Sequence, residues 1–121
     1  MKKIYSKINK KKLLHIIFSP TKKNQRINIS PESEFMQLCY LNLNKDNKFL
    51  AHKHFWKDNN KNKRIVQESW LLIKGSAKVY LYDTDDNFLT SKILKPGDVA
   101  ITYAGGHKLE VLKDNTIIYE H

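Results

Sequence analysis

The stretch ESWLLIKGSAKVYLY, residues 68–82, decides the fold. Two runs rich in leucine, β-branched and aromatic side chains flank the turn sequence Lys74-Gly75-Ser76, an order typical of two strands joined by a tight turn. Similar short runs lie on both sides, and we predict strands at residues 13–19, 34–43, 49–55, 65–73, 77–82, 88–93, 98–103, 108–112 and 116–120. Apolar residues at helical spacing are scarce. The sequence therefore predicts an all-β, antiparallel sandwich or barrel.

The length of the chain fits one domain with a single core, and we expect that domain to span residues 1–121. Residues 57–64, KDNNKNKR, contain no apolar side chain and are predicted to be an inserted, solvated loop. The lone cysteine, Cys39, cannot form an intrachain disulfide, so we expect a small buried thiol in a protein of the reducing cytoplasm. The apolar run at residues 13–18 is too short for a signal peptide or a membrane span.

The positive charge of the chain is concentrated at its N-terminus. The formal net charge is +10, and residues 1–31 contain eight lysines, Arg26 and no acidic residue. Only Arg26 and Arg64 carry the planar guanidinium that binds phosphates and base edges through two parallel hydrogen bonds. We therefore expect residues 1–12 to form a solvated basic arm, and we expect neither a nucleic acid nor a membrane as partner. An arm that meets an anionic substrate or an acidic partner is the alternative.

Residues with the chemistry of metal ligands follow one another along the predicted strands. His52 and His54 are two positions apart, so their imidazoles project from the same face of one strand. Glu68 opens a later strand, and His107 follows Gly105-Gly106. An imidazole pair on a strand also occurs without metal, at a surface or in a hydrogen-bonded core. Together the three imidazoles and the carboxylate would hold one divalent ion, of zinc, iron, manganese, nickel or copper, with open positions for water or substrate.

In this order the residues resemble the cupin superfamily, in particular small single-domain bacterial cupins associated with surface polysaccharide or nucleotide-sugar pathways. His52-Lys53-His54, then Glu68, six residues and Gly75 resemble the first cupin motif. Pro96-Gly97-Asp98 followed by His107 resembles the second, and residues 55–67 lengthen the usual spacing inside the first. The resemblance implies a jelly roll with an extra N-terminal strand, and His52, His54, Glu68 and His107 around one metal ion.

Two mechanisms of this superfamily fit the residues, and a third reading is not catalytic. With a metal, His52, His54 and Glu68 would serve an enzyme acting on a small anionic substrate derived from carbohydrate, as an isomerase, an epimerase or a related metal-assisted catalyst. Without metal, His52 or His54 would be the acid or base of a sugar-nucleotide ketoisomerase or epimerase. The third reading is a ligand-binding module in which a metal only holds the barrel.

Strand alternation and edge protection extend these expectations. Trp56 and Trp70 share a face with the candidate ligands, so they are candidates to stack on a sugar ring or base, or simply to fill the barrel. Edges of a short jelly roll are usually covered, so we expect a two-fold homodimer that uses the N-terminal strand.

Overall fold

Two antiparallel sheets enclose the core in the computed structural model. The structure describes residues 1–53, 56–57, 64–65 and 67–121, and of 56–57 and 64–65 it describes the backbone alone. The strands are β1 (Lys2–Tyr5), β2 (Leu13–Ile17), β3 (Gln25–Asn28), β4 (Cys39–Leu43), β5 (His52–Lys53), β6 (Trp56–Lys57), β7 (Arg64–Ile65), β8 (Glu68–Lys74), β9 (Ala77–Tyr82), β10 (Phe88–Leu94), β11 (Val99–Thr102), β12 (Gly106–Val111) and β13 (Thr116–Glu120). None of the described residues forms a helix that could cross a membrane.

The strand order is that of a jelly roll preceded by a hairpin. One sheet has the order β10-β9-β12-β5 and the facing sheet the order β11-β8-β13-β4-β3. β1 pairs with β2, and β6 pairs with β7, in two separate two-stranded sheets. Every one of these pairings is antiparallel, and neighbours in a sheet are often distant in sequence, as β4 and β13 are. The predicted all-β jelly roll is therefore confirmed.

The core is built from alternate residues of the strands, because successive side chains of a strand point to opposite faces. In the five-stranded sheet, Leu41, Ile118 and Leu72 lie side by side on the inner face. The facing sheet contributes Ala77, Val79, Leu94 and Leu109 to the same apolar cluster. Each of these residues is almost fully shielded from solvent, so one hydrophobic core joins the two sheets.

Two rows of the five-stranded sheet differ in chemistry although they lie on the same inner face. We call Leu41, Ile118 and Leu72 the floor layer. We call Cys39, Glu120 and Trp70 the mouth layer. This row lies two residues further along each of the three strands, toward the edge of the barrel where Glu68 is located. The floor layer is wholly apolar, whereas the mouth layer carries a thiol, a carboxylate and an indole N–H.

Gly75 turns the chain between β8 and β9 at the floor end of the barrel. Its φ of +89° belongs to the left-handed region, and a Cβ there would collide with Thr116. The Thr116 hydroxyl accepts a hydrogen bond from the Ser76 amide at 3.2 Å and donates one to the Lys113 carbonyl at 2.7 Å. Gly75 thus closes the hairpin against β13.

The structure contains strands that the sequence pattern does not reveal. Each of the nine predicted segments overlaps a strand, but β1 lies within the predicted basic arm and β3 lies outside every predicted strand. β1 reads KKIY and β3 reads QRIN, so neither has an apolar run of its own, and each forms by pairing with a neighbour. Of the predicted loop 57–64, the two end residues pair with each other, and 58–63 lie outside the described residues.

Candidate metal centre

Three strands bring two imidazoles and a carboxylate to one point inside the barrel. β12 pairs with β5 so that His107 lies directly opposite His52, and β8 supplies Glu68 from the facing sheet. The two Nε2 atoms of the histidines are 3.0 Å apart. Oε2 of Glu68 lies 3.7 Å from Nε2 of His107 and 4.0 Å from Nε2 of His52. Residues far apart in sequence therefore offer three ligand atoms within 4.8 Å of one another.

The surroundings of the two imidazoles fix how their nitrogens are presented. The Nδ1 atom of His52 lies 2.9 Å from the Leu50 carbonyl, which only accepts, so Nδ1 carries the proton and Nε2 faces the cluster. His107 is completely buried, and the edge contacts of its ring to His52 and Trp70 have centroid distances of 4.5 and 4.7 Å. Such a carbonyl partner behind a ligand nitrogen is usual at metal sites, because it orients the ring.

The donor set fits a divalent metal ion. Two ligand atoms bound to one ion at 2.0–2.1 Å lie about 3 to 3.4 Å apart when they are neighbours in octahedral or tetrahedral geometry. The His52–His107 separation of 3.0 Å is already in this range, and the two Glu68 distances exceed it by less than an ångström. Two imidazoles and one carboxylate suit zinc and the other divalent first-row transition metals. Residues His52, Glu68 and His107 could therefore hold such an ion.

The remaining predicted site residues divide between the buried and the undescribed parts of the chain. His54 lies outside the described residues, as does the side chain of Trp56. Trp70 is described and is only 3% exposed. Its ring packs against His107 in the mouth layer, so it fills the barrel beside the ligands. His15 and His121, which were not predicted as ligands, are exposed at the ends of the fold.

A hydrogen-bonded chain runs from Trp70, whose ring packs against His107, to the protein surface through Glu120 and Arg26, which the sequence pattern does not single out. The Trp70 indole Nε1–H donates to Oε2 of Glu120 at 3.1 Å. The Arg26 guanidinium donates to Oε1 of the same carboxylate at 2.6 Å. Glu120 could have been found from its alternation with Ile118 on a predicted strand, whereas Arg26 lies on β3, for which the sequence has no signal.

The Arg26 guanidinium and the Cys39 thiol both have pKa values above their ordinary ones. Desolvation lowers the pKa of Arg26, but the hydrogen bond and the negative charge of Glu120 outweigh it, so the pKa lies above its ordinary value. Burial is the main cause that raises the pKa of Cys39. The thiol therefore stays protonated, which suits the expected small buried side chain and not a nucleophile.

Two cavities reach the centre from different sides. One of about 220 Å³ lies at the mouth of the barrel and is lined by residues that include Arg26, Cys39, Glu68 and Glu120. A second, of about 420 Å³, lies along β5 and is lined by residues that include His52, Lys53 and Tyr82. The His52 side chain is 43% exposed and the Glu68 side chain 13% exposed. A small molecule therefore has access to two of the three candidate ligands.

Comparison with known proteins supports the cupin fold. No protein-family model matches this chain, and no curated protein matches it. Among solved structures, KdgF from Halomonas sp. has a TM-score of 0.59 at 13% identity, covering 79% of this chain and 75% of its own. A cupin-2 domain protein from Shewanella frigidimarina has a TM-score of 0.56 at 14% identity, with 84% and 83% covered. The Drosophila melanogaster CENP-C cupin domain has a TM-score of 0.60 at 13% identity, with 86% and 71% covered.

Proposed function

We propose that this chain, which has the cupin fold, is a metal-binding enzyme that acts on a small anionic substrate derived from carbohydrate. The observation that carries the proposal is the convergence of Nε2 of His52, Nε2 of His107 and Oε2 of Glu68 within 4.8 Å. His52, His107 and Glu68 would supply three ligands to an ion, so water or a substrate from the cavities beside them could supply the others. His54 belongs to the proposed ligand set through the sequence motif.

The side chains around the centre have distinct roles in this proposal. His52, His107 and Glu68 hold the ion, which when bound supplies Lewis acidity for a carbonyl or hydroxyl of the substrate. Glu68 also supplies negative charge that offsets the charge of the ion. Trp70 covers the buried His107 and keeps water away from its ring. An isomerase or epimerase reaction suits this arrangement, because polarising a carbonyl acidifies the neighbouring C–H.

Metal analysis of the purified protein tests the proposal. The protein is prepared without chelators and without a histidine tag, and its metals are measured by elemental analysis. We expect close to one equivalent of a transition metal, which dialysis against a chelator removes and which rebinds on titration. A content below about a tenth of an equivalent, together with no uptake of zinc, manganese, iron, nickel or copper, would contradict the proposal.

A metal-free acid–base function is the second candidate, and one contact favours it. His52 and His107 are within hydrogen-bonding distance at 3.0 Å, and the proton on Nδ1 of His52 leaves its Nε2 as an acceptor. Such a pair can pass a proton to or from a substrate beside the half-exposed His52, with His54 as the second candidate base. Turnover of a keto-sugar nucleotide that survives complete chelation would favour this candidate over the first.

The non-catalytic reading has support among the similar structures. One of these structures is the Drosophila melanogaster CENP-C cupin domain, and another is CENP-C bound to CAL1. For this chain, the corresponding proposal is a ligand-binding module whose metal only stabilises the barrel. It predicts ligand binding without chemical change, so proton nuclear magnetic resonance of the incubated ligand, which distinguishes isomers of equal mass, separates it from both enzymatic candidates.

We also propose a two-fold homodimer through the N-terminal hairpin β1–β2. A two-stranded hairpin is marginally stable alone, and this one exposes Tyr5, Leu14 and Ile17. Light scattering of the full chain and of a chain lacking residues 1–17 tests the proposal. A dimer is expected for the first and a monomer for the second, and a monomeric full chain would contradict the proposal.

A further inference from the structure

The mouth cavity combines one permanent positive charge with polar groups. Arg26 is the only lysine or arginine among the described residues that line its 220 Å³. Three residues with amide side chains, Asn28, Gln37 and Gln67, also line it. Glu68 lines the same cavity and is also a candidate metal ligand. A molecule in this cavity therefore meets a guanidinium and the metal centre together.

The position of Arg26 follows from the register of the edge strand β3. Arg26 pairs with Leu41, whose side chain lies in the floor layer, so the arginine starts on the inner face of the sheet. Its long side chain then extends toward the mouth, where it reaches Glu120 at 2.6 Å. The Arg26 side chain is 50% exposed, while that of Glu120 is 16% exposed. Half of the guanidinium side chain is thus open to a molecule from solvent.

The donor capacity of the guanidinium exceeds what Glu120 uses. An arginine has five N–H donors in a planar fork, and the contact to Glu120 involves Nη2. The remaining donors suit a second planar acceptor such as a carboxylate. Glu120 itself shows that the site already accommodates a carboxylate at this guanidinium.

We propose that Arg26 binds the carboxylate of a small hydroxy acid in the mouth cavity, with the rest of the acid directed at the metal centre beside Glu68. The inference deepens the proposed function and rests on it for the role of the metal, but carboxylate binding at Arg26 can be measured without metal. In this proposal Arg26, and not the N-terminal lysines, recognises the negative charge of the ligand.

Size and charge favour a monocarboxylate over a phosphate ester. A volume of 220 Å³ corresponds to about seven water molecules at 30 Å³ each, which suits a ligand of the size of a single sugar acid. In the metal-free protein, Glu68 and Glu120 both line the cavity, so a second negative charge on the ligand would meet two carboxylates with only one guanidinium to offset them. A monoanion avoids most of this repulsion.

Nuclear magnetic resonance of the full chain tests the inference directly. The sequence contains only Arg26 and Arg64 as arginines, so a ¹⁵N-labelled protein has two side-chain Nε–H signals, and Arg26→Gln assigns them. Zinc-loaded and metal-free protein are titrated with glycolate, with inorganic phosphate, with D-glucuronate, and with D-glucose as the neutral counterpart of D-glucuronate. We expect both acids to shift the Arg26 signal and D-glucose to leave it unchanged.

Four variants make the assignment specific. Arg26→Gln should weaken binding of D-glucuronate by about 10-fold or more, since it removes charge-assisted hydrogen bonds. Lys23→Gln removes an equal charge from an exposed position nearby and should change nothing. Glu120→Gln should tighten binding, because the amide oxygen still accepts from Trp70 while the competitor for the guanidinium is lost. Arg26→Lys keeps the charge without the fork, should also weaken binding, and carries the test if Arg26→Gln does not fold.

The outcomes separate this inference from the proposed function. Equal affinity for D-glucuronate and D-glucose, unchanged affinity in folded Arg26→Gln and Arg26→Lys, or tighter binding of inorganic phosphate than of glycolate would overturn it. A protein that takes up no metal contradicts the proposed function alone, and the titration of the metal-free protein then still decides the inference. Arg26-dependent binding of the acids in either form supports it.

Discussion

The mouth and floor layers lie on the same face of the same three strands, yet the mouth side chains are polar and the floor side chains are apolar. Leu41, Ile118 and Leu72 of the floor are members of the apolar core cluster and have no polar side-chain atom. The mouth residues Glu120 and Trp70 are hydrogen-bonded to each other, and the indole packs against His107. A step of two residues, about 6.7 Å along a strand, separates the layers. An apolar layer can therefore support a polar site without any change of backbone architecture.

The largest expected effect comes from breaking the floor. Leu72→Ala should lower the free energy of unfolding by about 3 kcal/mol, because a fully buried leucine leaves a cavity that its neighbours fill incompletely. Urea unfolding followed by tryptophan fluorescence measures the change. Ile73→Ala is the matched control, since the next residue of β8 points to the other face and is 46% exposed. Similar losses in the two variants would contradict the assignment of the floor layer to the core.

A change beside the mouth layer should affect metal more than folding. His107→Gln removes one candidate ligand and should weaken binding of zinc by at least about 100-fold, since loss even of a ligand's outer partner costs 10- to 100-fold. Competition with a chromophoric chelator measures the affinity. His15→Gln, on the exposed face of β2, is the control and should bind zinc normally. Equal affinities of His107→Gln and the control would remove His107 from the centre.

The contact between the mouth layer and the ligands predicts a smaller effect. Trp70→Phe keeps an aromatic ring beside His107 but loses the N–H that donates to Glu120. We expect a loss of about 1 kcal/mol of stability and a fall of up to about tenfold in metal affinity. Unfolding and chelator competition of the same sample measure both quantities. Unchanged metal affinity would show that Trp70 only fills the barrel.

The smallest expected effect lies outside both layers, on the outer face of the four-stranded sheet. The Tyr80 hydroxyl donates to Glu110 at 2.7 Å, and this bond is the main cause that lowers the pKa of Glu110. A lowered carboxylate pKa stabilises the fold above the unfolded pKa of about 4.5, and this contribution disappears as the pH falls through the lower folded value. Tyr80→Phe should therefore lose less stability than the unchanged protein on acidification.

Melting temperatures at pH 7 and at pH 3 measure this difference between the two proteins. Phe88→Leu, which exchanges one non-ionisable side chain for another on the neighbouring strand β10, serves as the control and should keep the acid dependence of the unchanged protein. An identical acid dependence in Tyr80→Phe would contradict the role of the hydrogen bond.

Local sequence predicted the fold where a strand has an apolar run of its own. β9 and β13 begin and end at the predicted residues, because each alternates buried and less buried side chains between clear turns. β1 and β3 were not predicted, since KKIY and QRIN form strands only by pairing with their neighbours β2 and β4. Because the sequence pattern does not predict β3, it groups Arg26 with the N-terminal lysines, although Arg26 lies on a strand of the barrel.

The candidate site shows the same division. His52, Glu68 and His107 were predicted as ligands from residue type, motif spacing and strand alternation, and the structure brings these three together. Glu120 carries no motif, and its importance follows only from the hydrogen bonds to Trp70 and Arg26. The sequence shows which side chains can bind a metal, but it does not show that Trp70 has its hydrogen-bond partner on a strand 50 residues away.

By itself the sequence determined which residues share a face, where the chain turns and which side chains can bind a metal, because alternation and glycine conformation are local properties. Only the tertiary structure decided that β12 lies beside β5, that Glu68 faces them from the other sheet, and that Arg26 extends from the floor row to Glu120 at the mouth. Those decisions depend on cross-strand register and sheet packing, which form between segments distant in sequence.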